Sequence, residues 1–100
     1  MKGDSILLEY YDEEKCDSDK SYFIKVFSHN RKYFVYRMWG KIGAANPQSK
    51  TEEFLGADRR AKAFDSAKRA ILQKLNKDYQ TQSSAGEFAI WLKDIKGEIK

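Results

Sequence analysis

The sequence predicts an α+β domain in which a small antiparallel β-sheet packs against one long α-helix. Two observations lead to this prediction. The first half of the chain holds short runs of β-branched and aromatic residues between polar turns, which is typical of strands. After Asp58 the apolar residues recur every three or four positions, which is typical of an amphipathic helix. Strands that precede the helix favour segregated layers over alternating βαβ units.

Length and composition restrict the class of protein. The 100 residues are the size of one domain, and 41% of them are hydrophobic and 14% aromatic, which excludes a disordered tail. A single cysteine, Cys16, excludes a disulfide framework and fits a reducing compartment. The apolar stretches are too short for a signal peptide or a membrane span. We therefore expect a cytoplasmic protein without membrane contact, associated with the nucleoid in a bacterium or nuclear in a eukaryote.

Four strands are predicted before the helix, each bounded by polar or glycine-containing turns. The turn between the second and third strands is short enough for a hairpin, so these two strands should pair. The acidic segment between the first and second strands has no apolar anchor and is expected to be a loop. The four predicted strands are 6–11, 22–27, 32–39 and 50–55.

The alternation of side chains along the third strand predicts which side faces the helix, because successive residues point to opposite faces of a sheet. One side is entirely apolar and is expected to face the helix; it consists of Phe34, Tyr36 and Met38. The other side mixes aromatic and cationic residues and is expected to lie open to solvent; it consists of Tyr33, Val35, Arg37, Trp39 and Lys41.

The second half of the chain is expected to contain a long helix and a shorter one. The long helix should run from Asp58 to about Asn76, with an apolar stripe on one face. Residues 81–86 have the composition of a linker. The apolar residues of 87–100 fall on one helical face, which predicts a second helix or a docked tail. We therefore divide the chain into a domain over 1–80 and a linker with an amphipathic tail over 81–100 that packs on or beside it.

Charge is distributed unevenly. Residues 1–19 carry seven acids and two lysines, whereas residues 20–100 carry seventeen bases and eight acids. The larger part of the chain is therefore strongly basic and should attract phosphate polyanions. The alternative is a solvated surface that only keeps the protein in solution.

The chain offers no convincing catalytic or metal-binding set. His29 is the only histidine, and no second ligand lies at a useful spacing. Acids surround Cys16 in the sequence and disfavour its thiolate. We expect no catalytic residue, no metal, no cofactor and no enzymatic activity.

The stretch Arg37-Met38-Trp39-Gly40-Lys41-Ile42-Gly43 resembles the signature of the WGR domain, a module of poly(ADP-ribose) polymerases that also occurs in bacterial proteins. The resemblance extends over nearly eighty residues, through the strand pattern and the helix positions Ala63, Ala67, Lys74 and Tyr79. Two departures stand out. Lys41 replaces the arginine of the signature and loses its planar fork of donors. Ala67 stands where the family usually has a bulky aromatic, so Phe64 or the tail is expected to fill that space.

The resemblance implies a binding module without catalysis. In the polymerases, WGR domains help to hold DNA ends and relay contacts between domains. By this resemblance Trp39 would stack near a terminal nucleotide, Lys41 would meet a phosphate or a protein carboxylate, and Arg37 would support the same surface. Alternatively, Trp39 is a sheet-edge tryptophan covered by Phe88 and Trp91 of the tail.

We expect this domain to bind nucleic acid, most readily DNA ends, nicks or junctions, through an aromatic and basic sheet face with little base specificity. The alternative is a protein-interaction or regulatory module that docks an acidic partner or a neighbouring domain. Neither the oligomeric state nor the preferred nucleic-acid structure follows from the sequence. The expected nucleic-acid-binding residues are Trp39, Lys41, Arg37, Gly40 and Lys50.

Overall fold

The computed structural model describes residues 4–11, 19–43 and 45–98, so Cys16 and most of the acidic segment lie outside the described residues. The strands form one antiparallel sheet in the order β4-β3-β2-β1-β5. This arrangement, with one long helix and a C-terminal one, confirms the predicted α+β class. The elements are β1 (Asp4–Tyr10), β2 (Lys20–His29), β3 (Lys32–Lys41), β4 (Gln48–Phe54), α1 (Arg59–Leu75), β5 (Gln80–Ala85) and α2 (Glu87–Glu98).

The hydrophobic core lies between one face of the sheet and the two helices. Alternate residues in the middle of β1 and β2 are buried, which is the pattern of strands covered on one side. The rings of Phe64 in α1 and Phe88 in α2 meet at 5.5 Å between centroids, so Phe64 and the tail supply the bulk that Ala67 lacks. The residues buried most completely are Ile6, Leu8, Ile24, Val26, Val35, Ala63, Ala67, Ile71 and Phe88.

The predicted assignment of the two sides of β3 is wrong. Val35 pairs with Val26 beneath the helices and is fully buried, and the side chain of Arg37 reaches Ser66 of α1. Trp39 lies on this helix side as well, whereas Phe34, Tyr36 and Met38 point away from the helices. The reason is steric: the buried face of α1 is rich in alanine and approaches the sheet closely, so compact valine and isoleucine side chains fit beneath it.

The predicted linker over 81–86 is also wrong, because most of it belongs to β5. This strand hydrogen-bonds to β1 along the edge of the sheet, with a register shift between Leu7 and Leu8. Its sequence, Gln-Thr-Gln-Ser-Ser-Ala, has little strand propensity of its own. Pairing with the backbone of β1 therefore determines its conformation. The predicted C-terminal helix, by contrast, is confirmed as α2, whose Phe88 and Leu92 are buried in the core.

Asp4, in the first strand, also holds the start of α2. Its Oδ1 accepts a hydrogen bond of 2.7 Å from the backbone N–H of Glu87, which ties the first strand to the last helix. Arg60 of α1 forms an ion pair with the Glu87 side chain. Gly86 precedes this turn with φ of +68°, and a Cβ built there would overlap the Asp4 carboxylate.

We predict that Gly86→Ala destabilises the fold by about 2 kcal/mol, because it adds backbone strain and displaces the Asp4 cap. Gly43→Ala is the matched control, since Gly43 also has positive φ but a Cβ there would meet nothing within 4 Å. In the control, the free energy of unfolding should fall by only about 1 kcal/mol, the cost of backbone strain alone. Urea denaturation measures both, and equal losses in the two variants would contradict the capping role of Asp4.

Candidate nucleic-acid interface

A cavity of about 290 Å³ opens where β2 begins and β3 ends, on the helix side of the sheet. The end of α1 and the residue that leads into β5 close its other side. We call it the sheet-end cavity. It is lined by Lys20, Ser21, Tyr22, Trp39, Gly40, Lys41, Lys74 and Tyr79.

The floor of the sheet-end cavity is a cross-strand pair of aromatic rings. Tyr22 and Trp39 lie opposite each other in β2 and β3, with ring centroids 6.3 Å apart and planes inclined by 25°. Tyr22 is buried, whereas Trp39 is partly buried and packs against the edge of the core. The rigid sheet therefore fixes the orientation of the indole.

The wall of the cavity depends on how α1 ends. The N–H of Tyr79 donates to the carbonyl of Lys74 (3.1 Å) and the N–H of Asp78 donates to that of Leu75 (3.1 Å), while Asp78 has φ of +68°. These are the bonds of a Schellman motif with aspartate in the left-handed position. The reversal brings Tyr79 back beside Lys74 and against Tyr10, whose ring centroid is 5.5 Å from that of Tyr79.

Lys74 lies among these rings. Its Nζ is 4.8 Å from the ring centroid of Tyr22 and 5.3 Å from that of Tyr79, within the range of cation–π attraction. Burial lowers the pKa of Lys74, and the nearby charges of Lys77 and Lys20 lower it further. Lys74 is thus a partly desolvated cation that an incoming anion would stabilise.

The sheet-end cavity is electropositive. Lys20 and Lys41 form a cross-strand pair at its mouth, and both are exposed. Burial raises the pKa of Tyr22 and of Tyr79, so both phenols stay neutral at physiological pH. Among the described residues that line the cavity there is no carboxylate. The two mouth lysines therefore face each other with no lining acid to neutralise them, an arrangement that favours an anionic ligand.

Three of the five predicted site residues come together here: Trp39, Gly40 and Lys41. The prediction that Trp39 lies open to solvent on the side of the sheet away from the helix is wrong. Its indole is partly buried on the helix side, where it packs on the ring of Tyr22 and lies near the end of α1. The covering tail proposed as an alternative is not observed either. Phe88 and Trp91 instead pack at 6.4 Å from each other beside α1.

Arg37 does not line the sheet-end cavity, although its positive charge lies close enough to the Tyr22 phenol to oppose the rise in that phenol's pKa. Its Nη2 contacts Glu52 at 2.8 Å and donates a hydrogen bond of 3.0 Å to Ser66 Oγ, so the guanidinium bridges β4 and α1. It lines a separate groove of about 420 Å³. Lys50 lies opposite Arg37 on β4, is exposed and does not line the sheet-end cavity either. The contacts of Arg37 with Glu52 and Ser66 thus hold its guanidinium between β4 and α1, outside the sheet-end cavity.

Sequence reasoning did not identify the other five residues that line the cavity as site residues: Lys20, Ser21, Tyr22, Lys74 and Tyr79. They come from the start of one strand and the end of a helix, and only the strand register and the Schellman turn bring them together. The one available signal was the family resemblance, which already included Lys74 and Tyr79.

The structure adds little for other classes of site. In the part of the chain that it describes, no group of histidine, cysteine and acidic residues is placed to hold a metal ion. His29 is exposed at the end of β2. No helix within the same residues has the length and apolar character needed to cross a membrane.

We predict that Lys77→Gln raises the pKa of Lys74 toward its ordinary value, because it removes a nearby positive charge. Lys93→Gln is the matched control, since Lys93 is an exposed lysine of α2 outside the cavity. Lysine side-chain titration by NMR measures both. Burial is the larger cause, so the shift should be partial; an unchanged Lys74 pKa would contradict the described electrostatics.

The comparisons with known proteins agree with this geometry. The family model of the WGR domain matches residues 5–86, from β1 to the residue before α2, and includes the Trp39-Gly40-Lys41 segment. WGR domains are in general non-catalytic modules of a family associated with nucleic-acid binding. Neither the curated proteins nor the solved structures yield a match. Because the match covers all five strands and the long helix, this chain belongs to the WGR domain family.

Proposed function

We propose that this protein is a non-catalytic module that binds DNA ends, nicks or junctions through the sheet-end cavity. The observation that carries the proposal is the meeting of three aromatic rings and three lysines in one cavity whose lining contains no acid. Nucleic acids offer the two complementary features, flat bases and phosphates.

The rings supply a stacking surface. Stacking a base on an aromatic side chain is worth about 1–3 kcal/mol in proteins that bind single strands. Tyr22 already packs on Trp39, so an incoming base would extend an existing stack. Because Trp39 is held by the sheet, little conformational entropy is lost when the base arrives.

The shape of the cavity favours an exposed base. A volume of about 290 Å³ lies at the lower end of the range for small-molecule pockets and suits one base or nucleotide. In an intact duplex each base is stacked on both sides, whereas a base at an end, a nick or a junction has a free face. Since stacking and phosphate attraction read no base edge, base specificity should be low.

The lysines supply phosphate attraction. Lys41 keeps the charge of the arginine in the family signature but binds phosphate as a point charge and not through a planar fork. Each phosphate neutralised by a lysine releases counterions, so affinity should fall steeply with salt. Lys20 and Lys74 extend the positive surface beyond Lys41 and lessen the effect of the lost fork.

We predict that Trp39→Leu weakens binding to nicked DNA about tenfold, because it keeps apolar bulk but removes the stacking plane. Fluorescence anisotropy with labelled intact, nicked, blunt and single-stranded DNA measures the loss. The loss should be smallest for intact duplex, which offers no free base face. Thermal denaturation checks that the variant is folded, and unchanged affinity in a folded variant would contradict the proposal.

We also predict that Lys41→Gln weakens binding and lowers the slope of log affinity against log salt by about 0.7–0.9, the value for one lost phosphate contact. Lys93→Gln, which carries the same charge change outside the cavity, should leave the slope nearly unchanged. Lys50→Gln in the same series tests whether Lys50 contributes. Equal slopes for Lys41→Gln and Lys93→Gln would contradict a role for Lys41.

A further inference from the structure

The side of the sheet away from both helices carries a continuous apolar surface. We call it the open face and define it by Leu7, Phe23, Phe27, Phe34, Tyr36 and Met38, which are all partly exposed. The two central strands supply five of these six residues. The surface therefore lies in the middle of the sheet and extends over β1, β2 and β3. A continuous apolar surface of this kind is typical of an interaction site, whereas apolar residues scattered singly over a surface are not.

The aromatic rings of the open face pack on one another. Phe27 and Phe34 stack at 5.2 Å between centroids with planes inclined by 18°, and Phe23 meets Tyr36 edge to face at 6.4 Å. Lys25 lies with its Nζ 5.9 Å from the Phe27 centroid. The rings of the sheet-end cavity lie among three lysines, whereas these rings lie on a side of the sheet whose described charges balance, with Lys25 and Lys32 against Glu9 and Glu53. Such a surface suits an apolar protein surface better than nucleic-acid bases.

Within the residues that the structure describes, no segment covers the open face. Both helices pack on the opposite side, where Phe88 and Leu92 of α2 join the core. The residues outside the described part are 1–3, 12–18, 44, 99 and 100, and they contain no run of apolar side chains. The segment 12–18 is acidic and polar in sequence. By sequence, these residues therefore offer no apolar cover for the open face.

The charge of the open face favours a second copy of this chain. The charged residues of the described strands on the same side of the sheet are Lys25, Lys32, Glu9 and Glu53, two positive and two negative, and Lys32 pairs with Glu53 at 2.9 Å. The whole chain has a net charge of +4, so copies repel one another in general. The open face is neutral, and two copies can approach through it while their basic cavities stay apart.

The size of the side of the sheet that carries the open face fits a dimer. Strands lie about 4.8 Å apart and rise about 3.3 Å per residue, so this whole side of the five-stranded sheet, with the open face at its centre and mostly polar residues at its rim, presents a face on the order of 600 Å². Two such faces would bury about 1,200 Å², at the lower end of the range for stable interfaces. Two twisted sheets also pack well face to face, about 10 Å apart, because they share the same twist.

We infer that the protein forms a two-fold symmetric dimer in which the open faces of two copies pack sheet against sheet. Each sheet-end cavity lies on the helix side and would remain accessible on the outside of the dimer. If the proposed function is correct, one dimer therefore presents two nucleic-acid sites that point in opposite directions and can hold two DNA ends at once.

Sedimentation equilibrium of the full chain without DNA tests the dimer. We expect the apparent mass to rise from 11.7 kDa toward twice that value as the protein concentration increases. Thr51→Lys adds a charge to an exposed position of the open face beside Tyr36 without removing a ring. It should raise the dimer dissociation constant at least about tenfold, because the new charge would be buried at the interface without a partner.

Two further variants complete the design. Tyr36→Lys removes a ring of the open face and should raise the dimer dissociation constant more than Thr51→Lys does. Circular dichroism checks that the Tyr36→Lys variant is folded. Ile90→Lys is the matched control, because Ile90 is 65% exposed on α2, away from the open face, and the charge change is the same. A wild-type mass of 11.7 kDa at every concentration overturns the inference. So does a dimer that Ile90→Lys disrupts and Thr51→Lys does not. Because no DNA is present, neither result affects the proposed nucleic-acid function.

Discussion

Val26 and Val35 lie opposite each other in the two central strands and are buried beneath α1. This register determines the two surfaces of the molecule, because side chains alternate along each strand. Four residues along each strand from this pair, it places Tyr22 and Trp39 on the helix side and at the sheet end. One step away it places Phe27 and Phe34 on the opposite side. The sheet-end cavity and the open face therefore follow from the same pairing.

Much of the fold was predictable from the sequence because the pattern of each element is local. The four strands before α1 and both helices follow from periods of two or of three to four residues. The strand β5 was missed because its polar sequence has no such period, and its hydrogen bonds to β1 connect residues far apart in the chain. Short polar edge strands of this kind are recognisable only from the partner that they pair with.

The side of β3 that faces the helix was predicted wrongly because apolarity alone was used to choose it. Phe34, Tyr36 and Met38 form the more apolar set, yet they point away from α1. Two features that the sequence of one strand does not contain determine which side of β3 faces α1. The alanine-rich face of α1 favours compact neighbours such as Val35, and Glu52 and Ser66 bind Nη2 of Arg37 at the border of the core. Of the proposed site, the sequence indicated Trp39, Gly40 and Lys41; the residues from β2 and from the end of α1 required the tertiary structure.

The hairpin turn between β2 and β3 has a consequence for handling the protein. Asn30 and Arg31 both have positive φ, +52° and +63°, as a two-residue turn of this type requires. The turn is exposed and lies at the end of the sheet opposite Lys20 and Lys41. Exposed turns of this kind tolerate insertions well. A dye, an affinity tag or a linker to another protein is therefore best attached at this tip, where the length of the two longest strands separates it from the sheet-end cavity.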